Sequence, residues 1–196
     1  MRVFHIANTR STRVLWTLEE IGQPYEAIRL TSEQKSGDEH RRRHPLGRVP
    51  VVELDDGTLL FESAAICLHL ADAHPEAGLL PSSGSTARGL VYQWAVFAMT
   101  EVEPKVFPWL RAHRAGEDET PHAERFAPVA AALTESLARQ EWIAGERFTV
   151  ADILLASMLR NPTGLGLLSG APSVARYVER ALGRPANRRA DAIDET

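Results

Sequence analysis

Three small polar residues, Asn8, Thr9 and Ser11, lie in the segment NTRST, between a short apolar segment and an amphipathic one. All three are common at helix N-caps, where a side-chain oxygen accepts a hydrogen bond from a free backbone N–H. A helix N-terminus also carries unpaired N–H groups and a partial positive charge, so an anion is stabilised there. The segment is therefore predicted to be a helix cap, an anion-binding turn, or both.

A second polar pair, Glu62 and Ser63, interrupts the apolar run in FESAAI, where a strand pattern changes to a helical one. Ligands of open α/β sheets prefer the crevice at the carboxyl ends of the strands. Ser63 is a natural N-cap, and with the free N–H groups of the helix it would hold a carboxylate. Capping without a ligand is the alternative.

A proline at position 50 interrupts what otherwise reads as a buried strand in HPLGRVPVVE. Proline has no N–H to give to a sheet, so it is confined to edge strands, strand starts and bulges. Either Val51 is not in a strand interior, or the backbone near Val49 pairs with something other than a strand. The order of the surrounding elements, given below, favours the second interpretation.

Other constellations predict structure and not chemistry. Thr149 and Asp152 have the spacing of a capping box and predict the start of a buried helix. His40 and His44 are four residues apart but flank three arginines, and the seven histidines show no metal-binding spacing, so no metal is expected. No phosphate-binding glycine motif is present.

The composition is that of an ordinary globular protein, with 44% hydrophobic and 24% charged residues in a chain of 196. A net charge of -4 gives no support to nucleic-acid binding. The only cysteine, Cys67, lies in an apolar helical pattern, which excludes a disulfide framework and predicts a core residue in a reducing compartment. Neither a signal sequence nor a membrane-spanning apolar run is recognised, so a cytoplasmic protein without a membrane contact is expected.

The first 76 residues read as an α/β unit. RVFHIA, a helix over Ser11–Ile21 and a strand over Tyr25–Leu30 give β-α-β, and the two strands of such a unit are normally parallel. VPVVEL and TLLFE then flank DDG, a strong hairpin pattern, and the helix SAAICLHLADA follows. The order is therefore β-α-β followed by β-β-α.

The pattern changes after this unit. Residues 77–88 are rich in Gly, Pro and Ser and predict a linker, and residues 89–196 predict an all-α domain. The tail after Gly183 is polar and is expected to be mobile. The predicted helices of this domain are Leu90–His113, bent at its prolines, Ala123–Gln140, Thr149–Leu159 and Ser173–Leu182.

The order and spacing of these segments resemble the cytosolic glutathione transferase family, in its bacterial form with a serine- or threonine-type active-site turn. The matching stretches are STRVLWTLEEIGQPYE, HPLGRVPVVELDDGTLLFESAAICLHLAD, GERFTVADILLA and VARYVERALGRPA. The resemblance implies a thioredoxin-like N-terminal domain followed by an all-helical C-terminal domain, a homodimer, and glutathione as co-substrate.

The resemblance also assigns roles to residues of this chain. It implies a cis proline at Pro50, with the Val49 backbone pairing with the cysteinyl residue of glutathione. It implies that Glu62 and Ser63 bind the γ-glutamyl end. It places a basic residue, Arg48 or one of residues 40–43, at the glycyl carboxylate.

The activating group is expected in the first turn, with Thr9 preferred, then Ser11, then Asn8. A free thiol has a pKa of about 8.5, and lowering it by about 2 requires roughly 2.7 kcal/mol. One charge-assisted hydrogen bond, about 1.5–3 kcal/mol, together with the helix dipole is enough.

The expected activity is conjugation of glutathione to a small hydrophobic electrophile. The aromatic residues Tyr92, Phe97, Phe107 and Trp109 are candidates to line the electrophile pocket. One alternative is a related glutathione-binding or regulatory protein that has lost turnover. Another is a glutathione-dependent isomerase or peroxidase, which is less favoured because Arg10 stands where one isomerase class has its cysteine.

Overall fold

The structure is a computed structural model and describes residues 1–195. Its contacts divide the chain into two compact units, each with its own core. The first unit contains Met1–Gly78 and the chain from Arg184 onward, and the second contains Leu79–Gly183. This division differs from the expected domain of residues 89–196, whose last residue lies outside the described part, because the segment after Gly183 joins the first unit.

The first unit has a four-stranded mixed sheet in the order β2-β1-β3-β4. Strands β1 and β2 are parallel, whereas β3 runs antiparallel to both β1 and β4. The β-α-β and β-β-α order expected from the sequence is confirmed. The elements are β1 Arg2–His5, α1 Ser11–Ile21, β2 Glu26–Arg29, α2 Ser32–Ser36, α3 Asp38–Arg43, β3 Val51–Glu53, β4 Leu59–Phe61, α4 Ser63–Ala73 and a 3₁₀ turn Pro75–Ala77.

Alternation of side chains along the strands gives the sheet two buried faces. Phe4 and Val51, which are partners in the register, form one cluster with Leu30. On that face the Arg43 guanidinium of α3 lies 4.3 Å from the centre of the Phe4 ring. Val3 and Val52, also partners, point to the opposite face and are completely buried.

Pro50 precedes the ladder and does not interrupt it. The pairing of β3 with both neighbours begins at Val51, so the missing N–H of Pro50 costs the sheet no hydrogen bond. At the other end of β3, Gly57 has a φ of 84° in the predicted hairpin turn, where Leu54 N–H donates to the Thr58 carbonyl at 2.9 Å.

The tail that was expected to be mobile is a helix. Helix α10 (Pro185–Glu195) packs along α1. Two bidentate contacts join the helices: Arg184 donates to both Glu20 carboxylate oxygens at 2.6 and 2.8 Å, and Arg189 donates to the Glu19 carboxylate and carbonyl at 2.6 and 2.9 Å. The buried residues of α10 include Ala186 and Ala190, whose small side chains permit close approach of the two helices.

The second unit is entirely helical in its regular structure. The predicted helix over Leu90–His113 consists of two helices separated by a π-helical turn, Ala98–Val102. Among described helices, none is both long and apolar enough to span a membrane. The helices of this unit are α5 Thr86–Phe97, α6 Glu103–Ala115, α7 Thr120–Leu137, α8 Val150–Gly164 and α9 Pro172–Leu182.

The predicted capping box starts the buried helix α8. The Asp152 carboxylate accepts the Thr149 N–H at 2.8 Å and the Thr149 hydroxyl at 3.0 Å. It also accepts the Ile143 N–H and the Tyr177 hydroxyl, each at 2.8 Å. Burial raises the pKa of Asp152, although these hydrogen bonds oppose the rise. The carboxylate therefore joins a loop, α8 and α9 in the core of the second unit.

Candidate active site

The strand register places three loops at one edge of the sheet in the first unit. Phe4 near the end of β1 pairs with Val51 at the start of β3, which pairs with Phe61 at the end of β4. The β1–α1 turn, the Val49–Pro50 segment and the Glu62–Ser63 junction therefore meet at this edge. The expected glutathione-binding residues Arg48, Val49, Pro50, Glu62 and Ser63 lie in or directly beside these loops, whereas the alternative basic residues 40–43 lie in α3.

The hydroxyl groups of Thr9 and Ser11 form hydrogen bonds within the β1–α1 turn. The Thr9 hydroxyl donates to the Ile6 carbonyl at 2.6 Å, and its oxygen accepts the Ser11 N–H at 3.2 Å. Ser11 Oγ lies 3.0 Å from Thr9 Oγ1. Because the one hydrogen of Thr9 is used on Ile6, the Ser11 hydroxyl supplies the hydrogen of that contact. Ser11 is completely buried.

Asn8 occupies the exposed tip of the same turn. Its φ is 58°, in the left-handed region that asparagine tolerates better than most residues. Its N–H points inward and donates to Asp194 Oδ2 at 2.8 Å. Within residues 1–195 no side-chain hydrogen bond of Asn8 is present, so its amide is available to a ligand.

Asp194 of α10 accepts two further contacts at this turn. The Thr12 hydroxyl donates to Oδ2 at 3.0 Å, and His5 Nδ1 lies 3.4 Å from Oδ1. Burial alone would raise the pKa of Asp194, but the hydrogen bonds from His5, Asn8 and Thr12 outweigh it and hold the pKa below its ordinary value. The carboxylate is therefore an anion fixed beneath the turn.

The Val49–Pro50 peptide bond is cis. Val49 packs its side chain against the Phe4 cluster, while its N–H and carbonyl make no hydrogen bond to any part of the chain that the structure describes. The residue before Val49 is fixed by His40, whose Nε2 donates to the Arg48 carbonyl at 2.8 Å. The N–H and carbonyl of Val49 are thus free of hydrogen bonds within the described chain, next to the fixed Arg48.

The N-terminus of α4 has backbone N–H groups in the geometry that suits an anion. The first hydrogen bond of this turn runs from Ile66 N–H to the Glu62 carbonyl, so the N–H groups of residues 63–65 precede it and have no helical partner. Ser63 is 2% exposed, and its oxygen accepts a hydrogen bond from Arg13 Nη1 at 3.3 Å. Glu62 is exposed with a φ of 69°, a strained conformation often found at ligand sites.

The basic residues near this edge differ in availability. His40 is buried and already bonded, and Arg43 forms an ion pair with Glu39. Burial lowers the pKa of His44, against the opposing charge of Glu62. Arg48 is exposed, and no ion pair of its guanidinium occurs within the described chain. It is therefore the basic side chain best suited to a ligand carboxylate.

Cys67 is a core residue, as predicted. Burial raises the pKa of its thiol to about 11, so it is protonated at neutral pH. No group of three or more side chains suited to a metal ion occurs among residues 1–195.

The four aromatic residues expected to line an electrophile pocket differ in exposure. Tyr92 and Phe107 are each 42% exposed, and the Tyr92 hydroxyl accepts a hydrogen bond from Arg88 Nε at 2.6 Å. Phe97 is half-buried with its ring edge-on to Trp94. Trp109 is only 3% exposed and stacks on His113. Trp109 is thus buried whereas Tyr92 and Phe107 are exposed, and the assignment of the four residues to an electrophile pocket stays a prediction.

Two residues of this site were missed in the sequence. Arg13 is a buried cation of α1, and its position one turn before the buried Thr17 indicates an inward-facing polar row. Asp194 follows Ala186 and Ala190 at four-residue intervals, which is the helical spacing of a buried face.

The fold is that of a two-domain protein with a thioredoxin-like first unit and an all-helical second unit. Comparison with protein families agrees: the model "Glutathione S-transferase, N-terminal domain" matches residues 1–72, and "Glutathione S-transferase, C-terminal domain" matches residues 97–185. The chain belongs to the glutathione S-transferase family.

Individual relatives extend this result. Glutathione S-transferase GstA of Escherichia coli O157:H7 is 31% identical over 189 residues, covering 94% of both chains. A sphingomonad glutathione S-transferase, solved in complex with glutathione, superposes with a TM-score of 0.86 at 32% identity and covers 100% of this chain and 99% of its own. Elongation factor 1-gamma of Danio rerio is 37% identical over 120 residues, which cover 59% of this chain but 26% of that protein.

Proposed function

We propose that this protein binds glutathione at the loop edge of its first unit and conjugates it, as the thiolate, to a small hydrophobic electrophile. The observation that carries the proposal is the N-terminus of α4, where free N–H groups adjoin Ser63 and the buried Arg13. Because Ser63 oxygen already accepts a hydrogen bond from Arg13, its own hydrogen is available to a carboxylate. This arrangement suits the γ-glutamyl end of glutathione.

The remaining parts of glutathione are assigned by the same reasoning. The unpaired backbone of Val49 is the partner for the cysteinyl main chain, as a short antiparallel contact. The exposed Arg48 is the partner for the glycyl carboxylate, and Glu62 for the γ-glutamyl amine. The order of these groups along the sheet edge supports an extended tripeptide whose central cysteinyl thiol faces the β1–α1 turn.

For the thiol we propose Asn8 as the hydrogen-bond donor, with Thr9 and Ser11 in a supporting role. The preference expected from the sequence began with Thr9, but its hydrogen is bound to the Ile6 carbonyl. Ser11 is buried. A side-chain N–H from Asn8 to a thiolate is a hydrogen bond to a charged group, worth about 1.5–3 kcal/mol. With the dipole of α1 this approaches the 2.7 kcal/mol needed to lower a thiol pKa by about 2.

The direct test measures glutathione binding and conjugation to an aryl halide with the purified protein, followed by Asn8→Ala and Asn8→Asp. Retained binding with at least a tenfold lower rate for Asn8→Ala supports both the activity and the donor. Thr9→Ser is the matched control, since it keeps the hydroxyl. Wild-type protein that neither binds glutathione nor turns over would exclude the proposed activity.

A second candidate is a glutathione-binding protein without significant turnover. The observation that favours it is the internal use of both hydroxyl groups in the turn, which leaves an amide in place of a hydroxyl at the tip. Glutathione binding with an unchanged thiol pKa and no conjugation of several electrophiles would select this candidate over the enzyme.

The wider setting of the activity is proposed on similar grounds. The exposed Tyr92 and Phe107, with the half-buried Phe97, are the aromatic residues offered to a hydrophobic electrophile. A homodimer is the assembly that the family resemblance implies, and sedimentation equilibrium tests it. A cytoplasmic location suits a chain whose only cysteine is a free thiol.

A further inference from the structure

The last helix of the chain reaches the turn that carries Asn8. Asp194 Oδ2 accepts both the Asn8 N–H at 2.8 Å and the Thr12 hydroxyl at 3.0 Å. One oxygen therefore holds the exposed tip of the turn and the first turn of α1 together. On the opposite side of the carboxylate, His5 at the end of β1 faces Oδ1.

We propose that Asp194 is a positioning residue for thiol activation. By fixing the Asn8 main chain, it sets the direction in which the side-chain amide of Asn8 points. This inference rests on the proposed function, because it concerns the same thiol. Asn8 has a left-handed backbone, with its N–H directed into the protein and its side chain exposed. Within the described chain, this N–H to Asp194 is the hydrogen bond by which Asn8 itself is held.

Asp194 is held in place by the docking of α10. It lies two turns after Ala186 on the buried face of α10, and the residue is 5% exposed. Arg184 and Arg189 anchor the same helix to Glu20 and Glu19 of α1. The acceptor is thus carried on a docked helix, which holds it more rigidly than a loop would.

The negative charge of Asp194 and its hydrogen-bond geometry have opposite effects on a nearby thiol. An anion disfavours a second anion, so the charge alone raises the thiol pKa, whereas a fixed donor lowers it. Asp194→Asn separates the two effects because it removes the charge but keeps an oxygen that accepts the Asn8 N–H. Asp194→Ala removes both the charge and the acceptor.

The experiment measures the pKa of glutathione bound to each variant, from the ultraviolet absorbance of the thiolate across a pH series, together with kcat and KM for conjugation. We expect Asp194→Ala to raise the pKa of the bound thiol by about 1, from about 6.5 to about 7.5, which lowers the thiolate fraction about threefold at pH 7 and close to tenfold below about pH 5.5. We expect kcat to fall in parallel while the KM for glutathione changes less than about twofold, because Val49, Ser63 and Arg48 are untouched. Asp194→Asn should stay within about twofold of wild type in kcat.

The control variant is Arg189→Gln, which removes an anchor of α10 but leaves Asp194 in place. A loss of activation in Arg189→Gln equal to that in Asp194→Ala would assign the effect to helix docking in general and overturn the specific role. An equal loss in Asp194→Asn and Asp194→Ala would assign it to charge and also overturn the proposal.

A measurement on the ligand-free protein separates this inference from the proposed function. Amide hydrogen exchange at Asn8 should be slow in wild type and in Asp194→Asn, and at least tenfold faster in Asp194→Ala. Slow hydrogen exchange of the Asn8 backbone N–H in a protein that does not bind glutathione would refute the proposed function but not the positioning role. Glutathione binding and activation that are unchanged in Asp194→Ala would refute the positioning role alone.

Discussion

Arg13 Nη1 lies 3.3 Å from Ser63 Oγ, so a buried cation from α1 contacts the first residue of α4. Both helices begin at the loop edge of the sheet, and the contact joins their first turns. The arrangement gives Ser63 a fixed orientation, with its oxygen on Arg13 and its hydrogen free for a carboxylate. Positive charge and unpaired N–H groups are thus concentrated where we propose that glutathione binds.

Ser63→Ala should weaken glutathione binding about tenfold, which corresponds to about 1.4 kcal/mol, close to the lower limit for one hydrogen bond to a charged group. Isothermal titration calorimetry checks this value. Ser63→Thr is the matched control because it keeps the hydroxyl at the same helix position. Equal affinity of Ser63→Ala and wild type would show that Ser63 only begins the helix.

Thr9→Val should lower the free energy of unfolding by about 1–2 kcal/mol, because the Ile6 carbonyl loses its donor and the Ser11 N–H loses its acceptor. Thr9→Ser should be close to wild type. Urea unfolding followed by circular dichroism gives these values. The opposite pattern, with normal stability and a bound thiol titrating near its free pKa, would make Thr9 the activating donor.

Sequence patterns predicted most of the first unit because its determinants are local. The β-forming residues of RVFHIA and the Asp56–Gly57 turn each lie within a few residues, as does the capping box of Thr149 and Asp152 in the second unit. Helix α10 was missed because its docking depends on Arg184 and Arg189, whose partners on α1 are 164 and 170 positions away. Its buried face also contains alanine and a carboxylate where an apolar stripe is usual.

The candidate site was predictable in its residue types but not in its hydrogen bonds. The NTRST segment indicates a turn with several donors, but the choice among them depends on which hydrogens the turn itself uses. That choice depends on the left-handed backbone of Asn8 and on an acceptor from α10. Neither of these features can be recognised within a local sequence window.

Asp152→Ala should be the most destabilising of the substitutions considered, at about 3 kcal/mol or more. The carboxylate accepts four hydrogen bonds, and its removal leaves two backbone N–H groups and two hydroxyl groups of the buried core without an acceptor. Asp152→Asn keeps one acceptor oxygen and should lose less. Chemical unfolding measures both variants, and a loss below about 1 kcal/mol for Asp152→Ala would contradict the core role of the carboxylate.

The contribution of Asp194 to stability should depend on pH with a definite sign. Its pKa is held below the ordinary value, since the hydrogen bonds from His5, Asn8 and Thr12 outweigh burial. A carboxyl whose folded pKa is depressed stabilises the protein fully above its unfolded pKa, about 3.9, and loses this contribution as the pH falls through the folded pKa. The difference in free energy of unfolding between wild type and Asp194→Asn should therefore be constant near neutral pH and decrease below about pH 4.

The titratable side chain that faces Asp194 is His5, so the same pH series on His5→Gln separates the two groups. Urea unfolding of wild type, Asp194→Asn, His5→Gln and the double variant of both substitutions at each pH supplies the values. Persistence of the decrease in the His5→Gln background assigns it to the carboxylate. If the difference in free energy of unfolding between wild type and Asp194→Asn grows as the pH falls, the folded pKa of Asp194 is raised. That result would contradict the interpretation of Asp194 as a fixed anion beneath the Asn8 turn.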